Sequence, residues 1–272
     1  AVHLPIKEPA DWVARVPAAI TGDVARHYAA CVMHLDDSVG RILAALEKKG
    51  ARDNTLVVFT SDNGCSSYIG VPPLEAQGHF PSGPYRDYKA SVWEGGHRVP
   101  FVIRWPQVVT AGTVCDQLVQ QADIMATLAD ILETALPPEA GEDSFSMLPL
   151  LQGGTTPIRT QAVNTACNGL PSFRDGQWKL VLQADAAAGT DVQLFNLAQD
   201  PRESTNLAAT EGPRVAAMRT MFEKLITAGR STPGPAQKND IRVARYPRPE
   251  NRSGKKNGKP DPPKPNTLKA PP

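Results

Sequence analysis

Apolar residues recur at three- and four-residue steps through Val24, Tyr28, Cys31, Val32, Leu35, Val39, Ile42, Leu43 and Leu46. That is the spacing of one face of a helix. The pattern predicts a helix over residues 21–50, with Thr21 placed to cap it and Asp23 suited to its positive first turn. Lys48-Lys49-Gly50 is its stop signal. The period then changes. Leu56, Val57, Val58 and Phe59 are apolar without a break, and the run enters Ser61-Asp62-Asn63-Gly64. Such a run predicts a strand over 55–60 covered on both faces, as in a parallel sheet. "VPFVIRW" predicts a second buried strand over 99–105. A further helix starts at Asp123, with Ile124, Leu128, Ile131 and Leu132 on one side, and stops at Pro137-Pro138. Strand and helix alternate to about residue 150, the pattern of an α/β fold: a mostly parallel sheet flanked by helices.

The second half reads differently. "FRDGQWKLVL" holds Asp175-Gly176 between two strand-like runs, a hairpin signal. "VQLFNL" is another strand. Val215, Met218, Phe222, Leu225 and Ile226 line one face of a helix between Pro213 and Gly229. The expected organisation is therefore a catalytic-type α/β unit over 1–155 and a small antiparallel α+β subdomain over 156–241. A Pro/Lys-rich tail over 242–272 has too few large apolar residues to order itself. Residues 66–88 form a long polar loop rich in Pro and Gly, and loops of that length inside a domain are commonly functional.

Composition changes this picture little. The 272 residues are 41% hydrophobic and 21% charged, with a net charge of +1. Those values suit a globular chain and argue against a general nucleic-acid or membrane-surface binder. No apolar run reaches the length of a membrane-spanning helix. The four cysteines, Cys31, Cys65, Cys115 and Cys167, have no CxxC spacing, so they signal neither a zinc site nor a disulfide framework. The chain begins at Ala1 without Met or a signal peptide, the look of a chain cut at its front, so compartment is unreadable here.

Ligands bind α/β sheets at the carboxyl ends of strands. Asp62 and Asn63 stand at such an end, and a carboxylate beside an amide oxygen suits a hard cation such as calcium or magnesium. The competing reading is an Asx-turn, in which both merely close the loop. "YKASVWEGGHRVPF" is a second polar cluster entering a second strand. Its Lys89 is either a cation for an anionic group or a solvated surface lysine. Gly95-Gly96 permits close backbone approach, and Glu94 can pair with Arg98 to brace the turn. His79 and His97 are both within plausible reach of a substrate. His27 and His34 lie seven residues apart on one helix, roughly 10 Å, too far to share a metal, and read as structural or exposed. His3 alone carries little weight. Asp36-Asp37 read as solvated charges. Cys65 shows no neighbouring base for a nucleophilic role.

Several stretches in order resemble the sulfatase family of the alkaline phosphatase superfamily, over roughly residues 1–240. "HLPI" is similar to the family's His-x-Pro segment, and "HYAACVMHLDDSVGRILAALEKKGARDNTLVVFTSDNG" to its helix-then-strand unit. "YKASVWEGGHRVPFVIRWP" is similar to its lysine motif; "DIMATLADIL", "GEDSFSMLPLL" and "LFNLAQDPRESTNLA" match later landmarks. The resemblance implies that Asp62 and Asn63 are two oxygen ligands of a divalent cation, usually calcium. It implies that Lys89 contacts the sulfate and the leaving ester oxygen, and that His3 contacts the sulfate and protonates the leaving group; His97 joins the substrate-binding residues. The implied activity is hydrolysis of sulfuric esters, with sulfated glycans the expected substrates and a periplasmic or extracellular setting. The family's nucleophile is a formylglycine made from cysteine in a Cys-x-Pro/Ala-x-Arg motif, and none of the four cysteines stands in one. The family's paired aspartates are missing too. The resemblance therefore implies a C-terminal portion holding half an active site and inactive alone. A phosphate or phosphonate ester hydrolase of the same superfamily, or a non-catalytic binding module, are the alternatives.

Overall fold

The computed structural model describes residues 2, 3 and 5–240; the tail over 242–272 lies outside them. A short helix α1 (Ala10–Ala14) packs on the long α2 (Asp23–Lys48). The capping expectation fails. Gly22 is the N-cap residue and makes no side-chain cap. Thr21 instead bonds Gln77 through both its amide and its hydroxyl, at 3.1 and 3.2 Å, pinning the start of α2 to the loop. Strand β1 (Val57–Thr60) follows. The long loop then holds a 3-10 turn at Ser67–Ile69 and a short helix α3 (Val71–Glu75), which Pro72 and Pro73 start without costing amide donors. The turn α4 (Glu94–His97) leads into β2 (Phe101–Arg104). Helices α5 (Asp123–Ile131) and α6 (Leu148–Leu151) precede four strands, β3 (Gln161–Thr165), β4 (Pro171–Asp175), β5 (Trp178–Val181) and β6 (Gln193–Asn196). The helix α7 (Gly212–Ala228) follows.

The parallel pairing expected for the two apolar strands is not what forms. β1 and β2 run antiparallel, Val57 opposite Arg104 and Thr60 opposite Phe101. Every strand pairing among the described residues is antiparallel. The physical reason is that an unbroken apolar run specifies burial and not direction, and here the burial itself is incomplete. Phe59 is 37% and Val102 57% exposed. The stripe on α2 is likewise buried only near its start, at Ala25, Ala30 and Cys31.

The second sheet keeps strict sequential order, β3-β4-β5-β6, and the expected hairpin joins β4 to β5, with Asp175 closing β4 opposite Trp178 and Gly176-Gln177 as the turn, Gly176 left-handed at φ 56. Alternation along its strands sorts two faces. Phe173, Leu180 and Leu194 face α7 and pack with Met218 and Phe222. Val181 and Phe195 face the other way, onto Val92 and Trp93 of the lysine-motif segment. Lys179 is two residues from Val181, so alternation sends it to that same covered face, where it is 1% exposed. A buried ammonium must find counter-charges.

Candidate functional site

The end of β1 is built by short hydrogen bonds. Ser61 Oγ donates to Asn63 O at 2.9 Å, Asn63 Nδ2 donates to Gly64 O at 3.1 Å, and Gly64 N donates to Gly96 O at 2.9 Å. The last bond joins the two polar clusters of the sequence. Glycine makes the approach possible: a Cβ on Gly64 would lie under 3.0 Å from the Gly95 carbonyl, and one on Gly95 under 3.0 Å from the carbonyl oxygens of Arg86 and Asp87. Lys89 N donates to Cys65 O at 2.7 Å, holding the lysine turn beside the strand end. That turn is left-handed at two non-glycine positions, Asp87 (φ 63) and Ala90 (φ 78). Backbone of that kind persists where its surroundings over-determine it.

One cavity of about 570 Å³ results. It is lined by His3, Asp62, Asn63 and Lys89, with Tyr85 and Arg98 beside them. Among the described residues the Asp62 carboxylate and the Lys89 ammonium make no hydrogen bond or ion pair. The Asx-turn reading loses force accordingly, because the Asp62 side chain closes no turn. Asn63 Nδ2, assigned by its bond to Gly64 O, leaves Oδ1 as an acceptor. A carboxylate and an amide oxygen fit part of a hard-cation shell. No three His, Cys, Asp or Glu side chains among the described residues gather as a metal site, so these two oxygens are the side-chain donors this turn offers.

His97 does not join this group. It lines a neighbouring cavity of about 520 Å³ with Glu94, Arg174 and Lys179, which meets the first at Asp62 and Arg98. Its Nε2 lies 3.1 Å from Val92 O and 3.3 Å from Lys179 Nζ. Burial first, then the ammonium of Lys179, push its pKa down to about 4. His97 is thus neutral near pH 7. The unfolded chain binds its proton at a higher pH than the folded one, so this group's share of stability is full above about pH 6.5 and is lost as pH falls toward 4. Urea unfolding is expected to show a decline of roughly 3 kcal/mol across that window, and His97→Gln should flatten it. An unchanged slope in that variant would show that His97 is not the titrating group.

His34 and His27 are structural, as their spacing suggests. His34 Nδ1 meets Glu8 at 2.8 Å and its ring stacks on Trp12, and His27 Nδ1 accepts from the amide of Glu8 at 3.0 Å. Burial raises the Cys65 thiol to about 11, and burial with the Glu8 contact raises Cys31 equally. Both are protonated at neutral pH and poor nucleophiles. The braces of the site were missed by sequence reasoning, apart from the Glu94–Arg98 pair, seen at 3.4 Å. Lys179 and Glu203 are buried against Glu94. For Lys179, a position of β5 in step with Val181 was the available signal; for Glu203 there was none.

By its match to the family's sequence profiles, the chain belongs to the sulfatase family. The Sulfatase profile matches residues 2–134, and the profile described as N-sulphoglucosamine sulphohydrolase, C-terminal, matches residues 85–230. The chain is 32% identical over 240 residues to the N-acetylgalactosamine-6-O-sulfatase of Bacteroides thetaiotaomicron, covering 83% of this chain and 45% of that protein. Among solved structures it resembles Ps i-CgsB in complex with k-i-k-neocarrahexaose, with TM-score 0.68, 27% identity, and coverage of 82% of this chain and 47% of that one. It also resembles the phosphonate monoester hydrolase of Agrobacterium radiobacter, with TM-score 0.51, 27% identity and coverage of 74% and 40%. The chain spans less than half the length of the curated relatives it matches.

Proposed function

We propose that this chain supplies the anion- and cation-binding half of a sulfuric ester hydrolase that acts on sulfated glycans. The observation that carries the reading is one cavity lined by His3, Asp62, Asn63 and Lys89, which come from three separate segments of sequence. Residues 1–155 would hold this chemistry, and 156–241 the small subdomain behind it. Asp62 and Asn63 would hold a divalent cation, calcium by preference, through their side-chain oxygens. When bound, such a cation lowers the negative charge on the sulfate and polarises the sulfur. Lys89 places a full positive charge, with three donors, against the sulfate oxygens and the ester oxygen that departs. His3 would donate a proton to that oxygen as the bond breaks. None of the four cysteines lies in the motif that becomes formylglycine. Among the described residues no helix is long and apolar enough to cross a membrane.

The similarity to a phosphonate monoester hydrolase supports a second reading, a phosphonate or phosphate ester in the same cavity. Calorimetric titration of the chain with 4-nitrophenyl sulfate and with phenyl phosphonate, each with and without calcium, separates the two. The sulfate ester is expected to bind more tightly, calcium to strengthen it, and Asp62→Ala to remove the calcium effect. Preference for the phosphonate would favour the second reading. A folded chain that binds neither ligand would sink both.

A further inference from the structure

The stretch "LFNLAQDPRESTNLA" has no place in the chemistry above, yet it holds a fully enclosed carboxylate. Glu203 is 0% exposed and sits at φ 52, a left-handed conformation that costs a non-glycine residue energy. It reaches 109 residues back along the chain. Its Oε2 accepts from the backbone amide of Glu94 at 2.7 Å, and its Oε1 lies 2.7 Å from Lys179 Nζ. Lys179 in turn donates to Glu94 Oε1 at 3.0 Å. The backbone oxygen of Glu203 accepts from Arg86 Nη1 at 2.9 Å, and that guanidinium stacks over Trp93, 3.6 Å from the ring centroid. Glu203 therefore holds both ends of the segment that carries Lys89: Arg86 before it and Glu94 after it. Gly95 N donates to Arg86 O at 2.8 Å and closes the loop, while Gly96 O receives Gly64 N from the Asp62-Asn63 turn.

The charges explain why a carboxylate is required here. Alternation along β5 buries Lys179 between Glu94 and Glu203. Burial works against the Glu94 carboxylate, but Lys179, then His97, outweigh it and hold its pKa below the usual range. Burial lifts the pKa of Glu203, with Lys179 and the Glu94 amide partly offsetting it. A buried ion pair of this kind is a poor source of net stability but a good source of register, because each charge has one acceptable arrangement.

We propose that Glu203 is a positioning residue: acting through Lys179, Arg86 and the Glu94 amide, it sets the Lys89 turn against the Asp62-Asn63 turn, so that the C-terminal subdomain fixes the geometry of the anion site. The anion part of this inference rests on the sulfate reading. The positioning part rests on the hydrogen bonds alone.

The test is amide hydrogen exchange on the full 272-residue chain, read at Lys89, Gly95 and Gly64, with Leu194 of β6 and Leu182, just past β5 and bonded to Pro171 O, as references. In Glu203→Ala the first three amides are expected to exchange about tenfold faster relative to the references, and the Kd for 4-nitrophenyl sulfate to rise about tenfold. Glu203→Gln keeps an oxygen acceptor for the Glu94 amide and should rescue Gly95 more than Lys89. It also keeps the test decisive if the alanine variant does not fold. Equal acceleration at all five amides would overturn the proposal, because it would make Glu203 an ordinary core residue. Unchanged exchange at Lys89, Gly95 and Gly64 would overturn it too. If the unmodified chain binds no sulfate ester, the sulfate reading fails, and the exchange pattern still decides the positioning.

Discussion

Lys89→Met is expected to lower kcat/KM for 4-nitrophenyl sulfate by about 100-fold, the usual cost of losing one electrostatic contact to a transition state. The measurement belongs in whichever form of the protein turns that ester over. The argument runs from the backbone outward. The turn from Asp87 to Ala90 is tied at Lys89 N to Cys65 O and at Ala90 O to the amide of Cys167, so the lysine stem leaves a fixed point. Among the described residues its ammonium has no ion pair, and it borders the same cavity as Asp62 and Asn63. A cation held without a protein partner is available for an anionic ligand. For the same reason its removal leaves no carboxylate unpaired, and stability should stay within about 0.5 kcal/mol. Met keeps the stem and removes only the charge. A loss of activity under threefold would return Lys89 to the class of ordinary surface lysines. A loss accompanied by unfolding would show that its role is in the fold.

The largest effect on stability is expected from Gly64→Ala. The added methyl would lie under 3.0 Å from both the carbonyl carbon and the oxygen of Gly95. Flexible side chains can step aside, but backbone cannot, and Gly95 is itself wedged under the carbonyls of Arg86 and Asp87. The two turns must part, and the bond from Gly64 N to Gly96 O goes with them. Overpacking against yielding neighbours costs about 1–3 kcal/mol, and unyielding backbone belongs at or above the upper end. A fall in Tm of roughly 6–12 °C is the corresponding expectation for a chain of this size. Sulfate-ester binding should be lost even at temperatures where the variant is folded, because Asp62 and Lys89 no longer face one cavity. A variant with unchanged Tm and unchanged binding would mean the two turns do not touch as described.

What could be read from the sequence divides by range. The β4–β5 hairpin was legible because Asp175-Gly176 between two strand-like runs is a local signal, although the turn itself is Gly176-Gln177, one residue on. Helices α2, α5 and α7 were legible to within a few residues for the same reason, since their period repeats several times. The direction of β1 against β2 was not, because hydrophobic patterning records which faces are covered and says nothing about which neighbour covers them. In the site, Asp62, Asn63 and Lys89 could be singled out by residue type and by position at strand ends, and the cavity joins them. His97 could not be placed. Its position beside Gly96 resembles that of a substrate ligand, but a lysine 82 residues further on draws it into a different cavity. Nor could Glu203 be singled out. In the sequence it is one acidic residue in a polar run, and its burial follows from the fold of the whole second sheet.

That reach along the chain has a consequence for synthesis. The Lys89 segment is held by partners that stand 85 and 109 residues beyond Glu94, at Lys179 and Glu203. At translation rates of about 5–20 residues per second, Glu203 emerges some 5–20 s after Glu94. Through that interval the strand ends can form, but Glu94 has only Arg98 as a close counter-charge, and Val92 and Trp93 lack the second-sheet residues that cover them in the finished fold. A nascent chain halted before residue 179 would carry every residue that lines the anion cavity but neither Lys179 nor Glu203, which square it. Such a chain presents Trp93 to chaperones instead of to Phe195, its T-shaped partner at 5.6 Å in the finished fold. The ribosome therefore delivers this site in two instalments, and only the second makes it rigid.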